Sequence, residues 1–373
     1  MGLSPQFRIV ATISAAISIA VGSLTPAPAS EQSSPYRAFS SSSYWNTPLA
    51  GTAPKDANSD AMINFLKADN AYPYIRLAGT EASGGWGEPI YWAETTDPVY
   101  DVTSTYYTLP AEFNAVRIPA AAQVAATSDA QMTIYDLEAG AVYKLWKAVY
   151  DPLTDTWSAG GGSYYYLGSN GLNGSLPESD ERRNRGHRGN PPAVHAVRWD
   201  EIQAGSIDHV LKISINTART DYVWPMVGSD GSTTNPSAPP QGTRIRIKPS
   251  VDLSKLNLSP AGLVVARALQ RYGAMVGDSS GAAATLKVEN TVMEGRGWLW
   301  NGVLAADTLK AIPFDLYEVV ELGHKPGVGD PIPDPDPTPS PDPTPTPEPE
   351  PSVTPDPTPT PEPEPSVTPD PTP

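Results

Sequence analysis

Carboxylates near histidines are the residues of this chain best suited to acid and base chemistry. Hydrolysis of a glycosidic bond needs one carboxyl group as an acid and a second as a base or nucleophile. From the polar segments near predicted strand ends we take three catalytic carboxylates and one histidine that orients them or exchanges a proton. These predicted catalytic residues are Asp136, Glu201, Asp278 and His209.

Two of these residues also have a purely structural interpretation. His209 precedes an alternating run and shares a face with Leu211 and Ile213, as a hydrogen-bonded core histidine would. Asp200 or Glu201 can instead cap a short helical turn. The sequence leaves both interpretations open.

An arginine-rich segment offers a different chemistry. Residues 181–188 (ERRNRGHR) place four arginines around His187, and residues 244–248 (RIRIK) alternate cations with isoleucines. Guanidinium groups bind carboxylates and sulfates through paired hydrogen bonds. We therefore predict His187, Arg188 and Arg246 as substrate-binding residues. The alternative is a solvated loop whose arginines pair with neighbouring acids.

A possible serine nucleophile lies in residues 277–281 (GDSSG), which match the pattern G-x-S-x-G. Asp307 or Asp315 and His324 follow in the order that such hydrolases use. The upstream chain lacks the regular βαβ pattern that gives this motif its meaning, so a glycine-rich turn is the simpler interpretation. The sequence also lacks the spacings of histidines and acids that are usual in metal sites. We therefore expect no metal and no cofactor.

Aromatic residues favour a carbohydrate partner. The chain has nine Trp and 17 Tyr against five Phe, a bias toward rings with polar groups, as expected where sugar rings stack. We predict Trp146 as a substrate-binding residue, and Trp86 and Trp298 are further candidates. The alternative is that most of these rings pack within sheets.

Both ends of the chain indicate export. An apolar run follows Arg8 and leads to an A-x-A arrangement that predicts cleavage after Ala29, so residues 1–29 are a predicted signal peptide. Residues 330–373 alternate proline with acids, Thr and Ser, and we predict a disordered, extended tail. Ten acidic residues and no basic ones lie in this tail, so it carries most of the net charge of −16. The rest of the chain keeps a net charge of about −6, and a mildly acidic module argues against nucleic acid as a partner; no membrane partner is expected either.

Residues 30–329 form the predicted folded module. Short alternating runs, such as 132–136 and 141–150 around a turn, predict many strands. Two helices interrupt them: Ser59 or Asp60 can cap the first, and Ser259 can cap the second, which ends near Gly273. This pattern predicts a mainly β fold, a β-sandwich or jelly-roll-like module with a few helices. Because the chain has no cysteine, the module depends on its core alone.

Five segments together carry a resemblance to a group of secreted bacterial proteins, many from actinomycetes. The resemblance covers most of residues 36–320 and rests on these segments: 43–48 (SYWNTP), 135–136 with 145–146, 198–210, 242–248 and 270–278. It implies secretion and a single module, and it implies no activity. The tail is similar to the linkers of modular polysaccharide-degrading enzymes.

The sequence thus predicts a secreted, monomeric, carbohydrate-active enzyme. A glycoside hydrolase that cleaves an extracellular polysaccharide is the first expectation. A polysaccharide lyase acting on an anionic glycan is the first alternative, in which His187 or His209 is the base and Arg188 or Arg246 neutralises a uronate. A non-catalytic cell-wall or polysaccharide-binding module is the second, and a protease or esterase is the remaining one.

Overall fold

A computed structural model describes residues 35–326. The predicted signal peptide (1–29) and the predicted tail (330–373) lie outside the described residues, and both stay predictions. Within residues 35–326, the structure has no helix that is long and apolar enough to cross a membrane.

Strands dominate the described part of the chain. It contains three α-helices, which are α1 (Ser59–Asp69), α2 (Trp199–Ala204) and α3 (Pro260–Arg271). Short 3-10 helices cover Ala111–Ala115, Leu253–Lys255 and Phe314–Leu316. The strands in chain order are β1 (Arg76–Ala78), β2 (Ile90–Ala93), β3 (Val99–Tyr100), β4 (Thr103–Ser104), β5 (Val116–Arg117), β6 (Met132–Asp136), β7 (Ala141–Trp146), β8 (Val149–Asp151), β9 (Thr156–Ala159), β10 (Gly161–Tyr166), β11 (Leu211–Ile215), β12 (Arg219–Tyr222), β13 (Pro240–Gln241), β14 (Arg244–Ile247), β15 (Ala274–Ser279), β16 (Thr285–Lys287) and β17 (Tyr317–Val319). The mainly β class is therefore confirmed.

The largest sheet has six strands in the order β1-β16-β11-β15-β14-β17. The pairs β1–β16 and β11–β15 are parallel, and the other pairs are antiparallel. One face of this sheet packs against α1 and α3 in the largest hydrophobic core, which includes Leu66, Ile213 and Leu269. Parallel pairing was not part of the prediction, and the jelly-roll-like arrangement stays a prediction.

A four-stranded sheet, β10-β7-β6-β2, lies against the other face of the larger sheet. A second core joins the two sheets, because Met275 of β15 packs in one cluster with Val142 of β7 and Tyr165 of β10. Side chains at alternate positions of β7, such as Tyr143 and Leu145, point into a third core on the far side. The predicted turn between residues 132–136 and 141–146 is confirmed.

The two predicted helices are present. The Ser259 hydroxyl accepts a hydrogen bond from the Gly262 amide at 3.1 Å, Pro260 occupies the first turn, and Gly273 follows the helix with φ +73°. For α1 the predicted cap is wrong. Ser59 is the first helical residue, and its hydroxyl accepts from the Val319 amide at 2.9 Å, so it ties the helix to β17.

Arg246 holds the edge of the six-stranded sheet, and it provides a stability test. Its buried guanidinium donates to Glu318 at 2.8 Å and to the Ala50 carbonyl at 2.8 Å. We expect Arg246→Ala to lower the free energy of unfolding by about 3–5 kcal/mol, because it leaves a carboxylate and carbonyls without their donor. Lys248→Ala removes a half-buried cation close by in the sequence, with one hydrogen bond to the Asp315 carbonyl at 2.7 Å, and should cost only about 1 kcal/mol. Urea unfolding measures both, and equal losses would contradict this role.

Candidate active site

A cavity of about 590 Å³ opens where the apolar core between the two sheets ends. Strands of both sheets line it, together with the arginine-rich segment after β10. The polar residues that line it include Glu88, Tyr107, Asp129, Lys144, Trp146, Ser163, Arg185, His187, Arg188, Asn190, His195, Lys212, Ser214, Asp278 and Lys287.

Strand alternation places charged groups in this cavity. On β11, Leu211, Ile213 and Ile215 point into the large core, so Lys212 and Ser214 point toward the four-stranded sheet. β7 and β16 repeat this arrangement, because Lys144 alternates with core residues and Lys287 follows the buried Leu286. Each strand therefore contributes one ammonium group to the cavity.

A β-bulge at Gly277 brings Asp278 onto the same face. In the β11–β15 ladder, Ile213 pairs with Val276 and Ser214 pairs with Asp278, so Gly277 is the extra residue. Only glycine fits there without displacement. A Cβ atom on Gly277 would lie 2.8 Å from Cε of Lys212 and would also overlap the amide oxygen of Asn190.

Glu88 neutralises part of the lysine cluster. Its buried carboxylate accepts hydrogen bonds from Lys144 at 3.0 Å and from Thr133 at 2.9 Å, and the ammonium group of Lys287 lies 3.7 Å away. Burial alone would raise the pKa of the Glu88 carboxyl. The ammonium groups of Lys144 and Lys287 lower it by more than this, so the net shift of the pKa is downward. Glu88 is therefore an anion held by cations from both sheets.

The three lysines outnumber the two carboxylates that they contact, Glu88 and Asp278. Burial lowers the pKa of Lys212, and burial with the neighbouring lysines lowers the pKa of Lys287 to about 8. A buried ammonium group is destabilised when too few anions surround it. The cluster of Lys144, Lys212 and Lys287 is thus suited to an anionic ligand, which would supply the missing negative charge.

Asp278 and Asp230 form an interacting pair beside the lysines. Arg188 lies 2.9 Å from Asp230 and 3.8 Å from Asp278, and Lys212 lies 3.8 Å from Asp278. Burial opposes ionisation of Asp278, yet Lys212 and a hydrogen bond with Asp230 lower its pKa to about 2. Burial and the neighbouring Asp278 raise the pKa of Asp230. Of the two, Asp230 is the one that retains a proton more readily.

Two uncharged histidines complete the wall. His187 is accessible from the cavity, but the surrounding protein, Arg188 and Lys212 lower its pKa to about 4. Burial lowers the pKa of His195 well below its ordinary value, and its buried Nε2 has no hydrogen-bond partner among residues 35–326. His187 is therefore a neutral base at neutral pH.

His187, Asp230 and Asp278 also have the atom types of a metal site, with ligand atoms within 4.8 Å of one another. Arg188 already contacts both carboxylates and Lys212 contacts Asp278, and their charges oppose a divalent cation. The expectation of no metal stays a prediction.

Aromatic rings border the cavity. Tyr107 and Trp146 line it with ring centroids 6.3 Å apart, and the exposed Tyr106 lies 6.4 Å from Trp146. The indole of Trp146 donates to Asp129 at 3.1 Å, which fixes the ring. Such rings suit the faces of sugars.

The structure brings four of the predicted site residues together: Trp146, His187, Arg188 and Asp278 all line the cavity. Arg246 lies in the ion pair with Glu318 described above. Asp136 forms a buried ion pair with Arg117 at 2.6 Å and accepts from the Ala139 amide at 2.9 Å, so it ties down the turn after β6.

Glu201 and His209 lie together at a separate opening beside Tyr36 and Arg37. Nε2 of His209 is 2.8 Å from the Glu201 carboxylate, and the same carboxylate accepts from the Arg198 amide at the start of α2. Both side chains are buried. These contacts match the structural interpretation that the sequence left open for each residue.

The predicted turn at residues 277–281 is replaced by strand as far as Ser279. The Ser279 hydroxyl accepts from the Ala218 amide at 3.1 Å, and no histidine contact to it is found among the described residues. Because Gly277 forms a bulge, β15 continues through it, whereas glycine in a sequence is usually taken as a turn signal.

Sequence analysis missed Glu88, Asp230 and the three lysines. The signal for the lysines was available: each is a single cation within a short apolar strand. The contacts between sheets that group them are not encoded in any local pattern.

Comparisons with protein-family models, with curated proteins and with solved structures find no match to this chain.

The bulge can be tested by Gly277→Ala. The added methyl group must displace Lys212 and Asn190, so we expect the free energy of unfolding to fall by about 1–3 kcal/mol. Gly168→Ala is the matched control, because a Cβ atom there meets nothing within 4 Å. Urea unfolding of the two variants should separate them, and equal stability would contradict the close packing at Gly277.

Proposed function

We propose that this chain is a secreted enzyme that binds an acidic polysaccharide in the cavity between the sheets and cleaves it by β-elimination. The observation that carries the proposal is the cluster of Lys144, Lys212 and Lys287, within 4 Å of which Glu88 and Asp278 are the only carboxylates among residues 35–326. The monomeric, sandwich-like module and the extracellular location expected from the sequence belong to the same proposal.

The acidic group of a uronate is the natural ligand of this cluster. Lys144 and Lys287 are close enough to share Glu88, and a substrate carboxylate beside them would gain charge-assisted hydrogen bonds. Trp146 and Tyr107 at the rim would stack on neighbouring sugar rings. The cations also lower the barrier to elimination, because negative charge develops on the carboxylate when the adjacent C–H bond breaks.

The cavity also supplies a base and an acid. In the proposed step, the Arg188 guanidinium, which donates to Nε2 of His187 in the structure, turns to the substrate carboxylate, and the freed Nε2 of neutral His187 takes the proton at the carbon next to that carboxylate. The electron pair of that C–H bond forms the new carbon–carbon double bond, and the glycosidic C–O bond breaks. Lys212, whose pKa burial lowers, gives a proton to the leaving oxygen. No water is consumed, and the product carries an unsaturated end.

Glycoside hydrolysis is the second candidate, and the Asp230–Asp278 pair favours it. The two carboxyl groups have pKa values shifted in opposite directions, as an acid and its partner require. Their mutual hydrogen bond, however, places them closer than the roughly 5 Å or more that separates the carboxyl groups of glycosidases. For this reason we place elimination first.

A product screen tests the proposal. The full chain is incubated with polygalacturonate, alginate, hyaluronan and, as a neutral comparison, xylan. We expect cleavage of an acidic polymer with ultraviolet-absorbing unsaturated ends. Saturated reducing ends would instead support hydrolysis, and retention on a polymer without cleavage would indicate a binding module.

Lys287→Met tests how the acidic group is held. Glu88 keeps its 3.0 Å contact with Lys144 in this variant, so the fold should persist. We expect KM for the acidic polymer to rise about tenfold, because one charge-assisted hydrogen bond is lost. Lys255→Met, which removes an exposed cation, is the control. An unchanged KM for Lys287→Met would contradict the assigned role.

The pH profile of kcat/KM gives a second test. Below about pH 4, His187 is protonated and cannot accept a proton, and above about pH 8, Lys287 loses the charge that holds the substrate. We therefore expect a bell-shaped profile with limbs near these values. Lys287→Met should shift the alkaline limb, because only the deprotonation of the general acid Lys212 then sets it, and an unchanged limb would assign it to a group other than Lys287.

A further inference from the structure

We propose that a second groove, lined by Tyr72, Trp86 and Trp298, binds a further stretch of the same polysaccharide chain. This inference rests on the proposed function and extends it from one cavity to an extended binding surface. The groove encloses about 800 Å³ at the β1 edge of the six-stranded sheet.

The exposed aromatic rings in this groove are its main feature. Trp86 is 46% exposed, Trp298 is 43% exposed and Tyr72 is 36% exposed, although each is large and mostly apolar. All three line the same concavity. Leaving such surface in water is unfavourable, and rings exposed within a groove are typical of sites where sugar faces stack.

The rings are held in place rather than free to collapse inward. The indole of Trp298 donates to the Thr80 carbonyl at 2.8 Å, and the buried Trp300 behind it donates to the Glu289 carbonyl at 2.7 Å. The loop that carries Trp86 is fixed by Asn290, whose amide donates to the Gly84 carbonyl at 3.1 Å. A preformed platform of this kind loses little conformational entropy on binding.

The groove has few polar groups, and this determines which parts of a ligand it can contact. Arg76 and Glu81 are the only charged residues among those that line it within residues 35–326. The Arg76 guanidinium lies 4.3 Å from the centre of the Tyr72 ring, and its buried Nε has no hydrogen-bond partner in the described part of the chain. The groove therefore fits the faces and hydroxyls of sugars, whereas the cavity fits their acidic groups.

The groove continues from the cavity along one strand. Thr285 lines the groove and Lys287 lines the cavity, two positions apart on β16, which is about 7 Å along a strand. Trp86 likewise precedes Glu88 by two residues. A polymer that places an acidic group at the lysines is thus within reach of the groove, whereas a disaccharide bound across the lysines fills the cavity alone.

The test compares Trp86→Ala and the double variant Trp86→Ala/Trp298→Ala with wild type. Affinity electrophoresis measures retention by polygalacturonate, alginate and hyaluronan, and kinetics compare each polymer with its disaccharide. Tyr222→Ala removes an exposed ring outside the groove and is the control. Thermal unfolding checks that the variants fold. If the double variant does not fold, the single variant Trp86→Ala is compared with wild type instead.

We expect the groove variants to bind the polymer about tenfold more weakly and to turn over the disaccharide at the wild-type rate. Equal retention of wild type and groove variants, while Lys287→Met loses retention, would overturn this inference and leave the proposed function intact. Retention of wild type by none of the polymers would overturn both. A wild-type dimer that the groove variants lose would make the groove a contact between copies, and would overturn the inference as well.

Discussion

The ion pairs of Glu88 with Lys144 and Lys287 are the interaction on which the site depends. Lys144 belongs to the four-stranded sheet and Lys287 to the six-stranded sheet, so one buried carboxylate links the two layers. Apolar packing around Met275 closes the rest of the gap. Burying these charges is costly, and the protein retains them with one ammonium group in excess of what Glu88 can neutralise. Such an arrangement is better explained by a charged ligand than by stability.

The β-bulge at Gly277 gives the same gap its second set of charges. Without the extra residue, the position opposite Ser214 would be occupied by glycine, and Asp278 would not face Lys212. The bulge also leaves room for the Lys212 side chain and the Asn190 amide. Backbone irregularity, lysine placement and the carboxylate pair are therefore parts of one arrangement. The low pKa of His187 fits the same arrangement, because burial and then the neighbouring Arg188 and Lys212 disfavour protonation of its ring.

Local patterns in the sequence were enough to predict the mainly β class, helix α3 with its Ser259 cap, and the alternation of side chains on β11. They also singled out His187, Arg188, Trp146 and Asp278, which line one cavity in the structure, because arginine clusters, indoles and acids at strand ends are visible in a linear pattern. Glu201 and His209 appear equally reactive in the sequence, but the structure buries them in contact with each other. Lys144, Lys212 and Lys287 were not identified, because their meaning arises only when three separate strands face one space. Strand alternation shows which side chains share a face, and it does not show what lies across from that face.

The central claim is that the lysine-lined cavity holds the acidic group of a polysaccharide. A crystal structure of the His187→Ala variant with a uronate tetrasaccharide tests it most directly, since loss of the base should prevent turnover. We expect a sugar carboxylate within hydrogen-bond distance of Lys144 and Lys287, with a sugar ring against Trp146. An oligosaccharide bound at the opening beside Glu201 and His209, with the lysine cavity empty, would contradict it.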